Sequence, residues 1–287
     1  MSSGSAAYRK EAEEKQIMGS VLVIGGGAAG LAAAIAAAEC GDTVTVTEKI
    51  VRVGKKILAT GNGRCNLMNT GAPRYPGNAA FAADVLSHCG AEAQKAFWEH
   101  LGLRLRQEEA GRVYPVSSQA SSVLDALRLQ LTALHVRVVT GVSITALHRE
   151  NDGWTALSAD GQRFRANRVI ISGGGCAQPK LGSDGSALRL LTNLGCPATP
   201  FAPALTQIIT DSTSIKGLSG IRAKAQVAVI DRKSVLHEEE GELLFADYGV
   251  SGVCVMQCAR YAKDGRVLRM SLVKGMGFAD AGDFRRE

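Results

Sequence analysis

At 287 residues the chain is long enough for one large core or two modest ones, and 46% hydrophobic with 21% charged residues is an ordinary globular balance. The net charge of +6 is scattered, and no aromatic residues interleave with the basic ones, which argues against a nucleic-acid partner. Seven cysteines without a CxxC pair argue against a disulfide framework or a zinc site, so no metal is expected and reduced thiols in a cytoplasmic protein are.

Residues 1–17 are polar and aperiodic and read as a disordered extension or tag, with Met18 a natural start. Val21 to Cys40 is small and apolar, but Gly25, Gly26, Gly27 and Gly30 interrupt it, so neither a targeting segment nor a membrane partner is read there. Val21–Ile24 is a β-branched run suited to a buried parallel strand. A glycine turn follows, then an Ala-rich helix over Leu31–Cys40 that Gly41-Asp42 ends, then a strand over Thr43–Thr47. This βαβ unit fits a mononucleotide-binding half.

Phe81–Leu101 and Ser117–Leu134 predict amphipathic helices. Val136–Thr140 and Ile144–Leu147 predict strands, and Trp154–Leu157 with Phe164–Arg165 a hairpin around Asp160-Gly161. Arg168–Ser172 is a further strand running into Gly173-Gly174-Gly175. Beyond the prolines at 197, 200 and 203 the pattern turns to β, with strands expected at Leu205–Ile209, Ala223–Ile230, Val235–Glu238, Glu242–Phe245 and Arg266–Val273. The expected fold class is therefore α/β: a Rossmann-like nucleotide-binding domain with a parallel sheet over 18–200, and a mainly β domain, inserted or appended and incomplete at its end, over 201–287.

Gly25-Gly26-Gly27-Ala28-Ala29-Gly30 fits G-x-G-x-x-G after a strand and opening a helix. Gly25 permits the turn, Gly27 lets the backbone approach a pyrophosphate, Gly30 allows close packing, and the helix start offers N–H groups to phosphate. Glu48, ending the second strand, stands where a carboxylate accepts from ribose hydroxyls and repels a 2′-phosphate. Arg52, Lys55, Lys56 and Arg64 make a basic cluster suited to balancing a pyrophosphate, and Lys49 is a further candidate contact to the cofactor. A second glycine-rich loop, Gly61-Asn62-Gly63-Arg64-Cys65-Asn66, follows immediately; a flavin needs backbone donors around its polar edge, a nicotinamide dinucleotide does not.

At these residues the chain resembles the BaiN-like, aminoacetone oxidase-like family of NAD(P)/FAD-dependent oxidoreductases. The resemblance continues in Ile171–Gly175, in Pro179–Gly185, in Lys216–Arg222 and in Gly241–Gly252. It implies that Gly25, Gly27, Ala29 and Gly30 hold the pyrophosphate and Glu48 the adenosine ribose. It also implies that Ile144 lies near the adenine, Gly61 to Asn66 near the flavin, and Gly173-Gly174 against the dinucleotide. The implied activity is hydride transfer through flavin N5 to an activated C=C bond of a small, bile-acid-like molecule, with NAD(P)H as a transient donor. Met68 and Ala187 depart from the family pattern, and the family's closing Gly-Glu…Gly-Gly-Tyr-Asn segment has no counterpart in 267–287, so the chain reads as truncated. A nicotinamide-only dehydrogenase and an inactive FAD-binding module remain the rival readings. Cys65 reads either as a redox partner or as a packed residue, and Tyr248 as a proton donor or a packed aromatic. The five histidines suggest no triad or metal site, and hydrolase motifs are absent. No catalytic residue and no oligomeric state are assigned.

Overall fold

The computed structural model describes residues 19–275 apart from 73, 74, 76 and 264; the extension expected over 1–17 lies outside them. The chain forms two compact units, Met1–Thr199 and Pro200–Glu287.

The first unit is built on a parallel sheet. Its strands are β1 (Ser20–Ile24), β2 (Thr43–Glu48), β6 (Arg137–Thr140) and β10 (Arg168–Ile171), in the order β10-β1-β2-β6. The alternation of β1 decides which layer each side chain joins. Val21 and Val23 pack on one face against Leu31, Ala34 and Ile35 of helix α1 (Ala28–Glu39) and against Val123, Leu124, Leu127 and Leu131 of helix α5 (Ala120–Ala133). Leu22 and Ile24 pack on the other face against an antiparallel sheet of β7 (Ile144–Glu150), β8 (Gly153–Ser158) and β9 (Arg163–Ala166). Helix α6 (Ser186–Asn193) joins that layer through Leu190. Both faces of the parallel sheet are thus covered, which is why β1 reads as an unbroken apolar run. The expected α/β class with a parallel sheet is borne out.

Three features differ from expectation here. The helix expected over Phe81–Leu101 is two, α3 (Ala79–His88) and α4 (Ala91–His100). Cys89 leaves helical geometry at φ −136°, and Gly90 caps the second helix in extended conformation. A short helix, α2 (Lys55–Leu58), and a small antiparallel sheet were not anticipated. That sheet joins β3 (Met68–Asn69), β4 (Leu105–Gln107) and β5 (Arg112–Pro115), in the order β3-β5-β4.

The second unit is an antiparallel sheet in the order β11-β14-β13-β12-β15. Its strands are β11 (Ile208–Ile209), β12 (Arg222–Asp231), β13 (Ser234–Ala246), β14 (Gly249–Ser251) and β15 (Val267–Ser271). Ala225, Val227, Leu243 and Phe245 form its core with Cys254, Val255 and Cys258 of helix α7 (Val253–Cys258). The strands expected over Val235–Glu238 and Glu242–Phe245 are one continuous strand, β13. Its acidic residues do not break it, because Glu240 and Glu242 stand opposite Gln226 and Lys224 of β12. The strand expected from Leu205 is shortened to its last two residues, Leu205 itself taking φ +53°. The run expected as strand to Val273 turns instead into a short helix, α8 (Leu272–Gly275). Among the described residues no helix is long and apolar enough to cross a membrane.

Candidate dinucleotide and flavin site

The site lies in the first unit, in a cavity of about 460 Å³ at the carboxyl ends of β1 and β2. That volume is in the range of roughly 300–1,000 Å³ usual for cofactor clefts, and the position is the expected one for an open α/β sheet.

The glycine turn builds one wall. Gly25 has φ +109°, and its N–H donates to the Thr47 carbonyl at 2.8 Å, tying the turn to β2. A Cβ on Gly30 would lie 1.9 Å from the Gly25 carbonyl oxygen, so Gly30 serves contact between helix and strand. A Cβ on Gly26 would lie 2.6 Å from Val53 Cγ1. Gly27 is different: it caps α1 at φ −80°, and a Cβ there would meet nothing within 4 Å. Only the cavity lies beyond it, where Ala28 and Ala29 also line the wall. The open space at Gly27 beside a helix start with no side-chain cap has the form of a pyrophosphate cradle.

Glu48 is 9% exposed, low for a carboxylate. Its Oε2 accepts from Gly26 N–H at 2.8 Å and its Oε1 from Ile50 N–H at 3.0 Å. A carboxylate has about four acceptor positions, so the two oxygens retain capacity for a pair of ribose hydroxyls. Ile144, with Val142 and Ser143, lines the cavity as well.

A further wall comes from the connection after β10. Gly173 and Gly174 line the cavity. Gly173 leaves room for Ala187, whose Cβ would be 2.7 Å from a Cβ at Gly173. Two lysines reach across to this connection. Lys56 Nζ donates to Ser183 Oγ at 2.9 Å, and Lys49 Nζ contacts Asp184 at 2.6 Å and Ser186 at 3.1 Å. The Lys49 ammonium holds the Asp184 carboxyl well below the usual carboxylate range, aided by Ser186.

The remaining wall is the second glycine loop. Cys65 and Asn66 line the cavity, joined by Thr60, Leu67, Val123 and Trp98. Cys65 is buried at φ +60°, its N–H donating to Thr60 Oγ1 at 3.1 Å, and burial pushes its thiol pKa up. A thiol so placed stays protonated, which suits packing better than nucleophilic redox work. Gly30, Gly61, Gly63 and Arg64 do not line the cavity. Gly61 and Gly63 are exposed, and the Arg64 guanidinium pairs with Glu108 and stacks on Tyr114 at 4.1 Å from its ring centre, rather than reaching toward a phosphate. Trp98, Thr60 and Val123 were missed from the sequence; only the apolar face of each helix hinted at Trp98 and Val123. In the second unit, Tyr248 is exposed, and His237 stacks on Tyr261 and pairs with Glu239.

The profile of the HI0933-like protein Rossmann domain matches residues 19–260. The chain belongs to the HI0933-like family. The family resemblance read from the motifs is thereby borne out. Among the chain's relatives, the 3-dehydro-bile acid delta(4,6)-reductase of Clostridium scindens is 42% identical over 253 residues, covering 86% of this chain and 61% of that protein. The ribosomal RNA dihydrouridine synthase of Haemophilus influenzae is 25% identical, covering 84% and 61%, and its Escherichia coli namesake 23%, covering 88% and 63%. The chain thus spans about three fifths of the length of these relatives.

Proposed function

We propose that the first unit binds FAD and that the chain is the major part of an FAD-dependent oxidoreductase, the second unit being its insert domain. The carrying observation is that one cavity is lined at once by the open face of Gly27, by Glu48 and by the Cys65-Asn66 loop. A nicotinamide dinucleotide alone accounts for the first two walls; the third is what a flavin ring requires. Gly27, Ala28 and Ala29 would hold the pyrophosphate, Glu48 the adenosine ribose, Ile144 the adenine, and Cys65 and Asn66 would face the ring. Lys49 and Lys56 would offset the pyrophosphate charge. Bound there, FAD supplies a two-electron carrier that exchanges hydride at N5.

The reaction class we favour is reduction of a C=C bond polarised by a neighbouring carbonyl, with NAD(P)H as the transient donor. Both kinds of named relative point to hydrogenation of such a bond, in a 3-dehydro steroid or in a uridine. A small molecule is the preferred substrate because the steroid reductase is 42% identical against 25% for the RNA enzyme. In addition, Arg64, one of the cations beside the motifs, is already paired with Glu108. All seven cysteines are free, which suits a cytoplasmic location.

Titration of the purified chain with FAD, read by quenching of flavin fluorescence, tests the cofactor. Saturable quenching that ADP reverses is expected. A colourless chain that binds NAD but leaves flavin fluorescence unchanged would replace this reading with the nicotinamide-only dehydrogenase.

A further inference from the structure

The loop that lines the ring end of the cavity is built from unfavourable backbone. Asn62, Gly63 and Cys65 all have positive φ, at 54°, 67° and 60°. A residue with a Cβ is disfavoured in such a conformation; burial in the core holds Cys65, whereas exposed Asn62 needs support from elsewhere. Packing does not give it at the tip, where a Cβ on Gly61 or Gly63 would meet nothing within 4 Å. The loop's own bonds, Gly63 N–H to Thr60 carbonyl at 2.9 Å and Cys65 N–H to Thr60 Oγ1 at 3.1 Å, close it on itself without anchoring it.

Arg64 supplies an external tie. Its guanidinium donates to Glu108, 44 residues away on the connection between β4 and β5, and lies over the Tyr114 ring of β5. Glu108 is held in turn by Arg106 at 2.9 Å, and Arg106 also donates to Ser118 at 2.9 Å. Just past the loop, Leu67 N–H donates to the Val113 carbonyl at 2.9 Å, so the same small sheet grips the loop at a second point. A charge-assisted bond and a cation–π contact thus converge on the residue directly before the cavity-lining pair Cys65-Asn66.

We propose that Glu108, with Tyr114, is a positioning residue for the flavin: it acts through Arg64 to hold the Cys65-Asn66 backbone against the ring. The inference rests on the FAD reading given above. Neither residue lines the cavity, so neither touches the cofactor itself. The consequence is a division of labour in which the adenosine end is held from β1 and β2, and the ring end from the β3-β5-β4 sheet.

The test compares the wild-type chain with Glu108→Ala, Glu108→Asp, Arg64→Ala and the double variant Arg64→Ala/Glu108→Ala. Three quantities are measured: FAD affinity, ADP affinity, and the absorption and fluorescence of the bound flavin. Glu108→Ala is expected to weaken FAD about tenfold, as loss of a charge-assisted tie implies, to leave ADP affinity unchanged, and to shift the flavin spectrum. Glu108→Asp restores part of the spectrum, and the double variant is no worse than either single one. A general loss of structure would lower ADP and FAD affinity together, and ADP binding therefore reports folding. An unchanged flavin spectrum and FAD affinity in Glu108→Ala would overturn the proposal, as would additive losses in the double variant. Failure of the wild-type chain itself to bind FAD would instead overturn the cofactor reading.

Discussion

Gly27 and Gly30 sit three positions apart in one turn and answer to different demands. A methyl group at Gly27 projects into empty cavity, whereas one at Gly30 runs into the Gly25 carbonyl. Gly27→Ala loses a favourable helix cap but gains chain stiffness, so its apo stability should change by no more than about 1 kcal/mol. Its FAD affinity should drop at least about tenfold, because the methyl takes the phosphate's place. Gly30→Ala should instead destabilise the chain by about 3 kcal/mol or more through overpacking. Thermal melts with and without FAD separate the two; equal melting points for both apo variants would contradict the assignment. Another residue-scale expectation concerns Cys258, buried under the second sheet with its thiol pushed up to about 11 by burial and by the nearby Glu239. The folded state keeps a proton that the unfolded chain releases near its ordinary value of about 8.5. Stability from this group is complete below that value and lost as pH rises toward about 11. Denaturant unfolding between those limits should show a falling stability that Cys258→Ala flattens.

At the scale of elements, the segment leading into α6 passes beside Glu48. A Cβ on Gly182 would lie 3.7 Å from Glu48 Oε1, and the ion pair between Lys49 and Asp184 fastens the segment there. Asp184 is 42% exposed, so the tie is modest. Asp184→Asn should speed release of bound ADP by up to about fivefold, the range of an exposed pair. Because the Asp184 carboxyl titrates well below its ordinary value in the folded chain, its contribution to folding stability is complete above about pH 4 and is lost as pH falls from there toward the depressed value. Denaturant unfolding should lose stability below about pH 4 more steeply in the wild type than in Asp184→Asn; parallel pH profiles would refute the tie.

What could be read ahead at this scale followed from locality. The strand, glycine turn, helix and acidic strand end between Ser20 and Glu48 are contiguous, and each residue type there has one dominant physical reason to be where it is. The break at Cys89-Gly90 was hidden because apolar spacing continues across it, although the backbone does not. The β3-β5-β4 sheet was hidden because its strands are two to four residues long and β3 pairs with β5 across more than forty positions. That missing sheet explains why Arg64 was read as a phosphate ligand: its true neighbours, Glu108 and Tyr114, are brought to it only by tertiary pairing. Trp98 was hidden for the same reason, reaching the cavity from a helix whose role is otherwise packing.

At the scale of the whole molecule, the two units have separate cores. Val23, Leu31 and Leu127 centre one, Leu243, Val227 and Val255 another. Calorimetry should resolve two transitions, and FAD at about a hundred times its dissociation constant should stabilise only the first, by about 2.7 kcal/mol. A single transition raised as a whole by FAD would contradict independent cores. Leu243→Ala should lower the second transition alone, by 2–5 kcal/mol when fully buried volume is lost.

Glu48 is fastened at both oxygens by Gly26 and Ile50 before any ligand arrives. A glutamate gives up as much as about 2 kcal/mol of rotamer freedom when it is fixed, and here folding has already exacted that loss. Association with an adenine nucleotide therefore carries no further ordering penalty at this carboxylate. On the reading proposed above, even the bare ADP fragment would meet an acceptor already fixed in place.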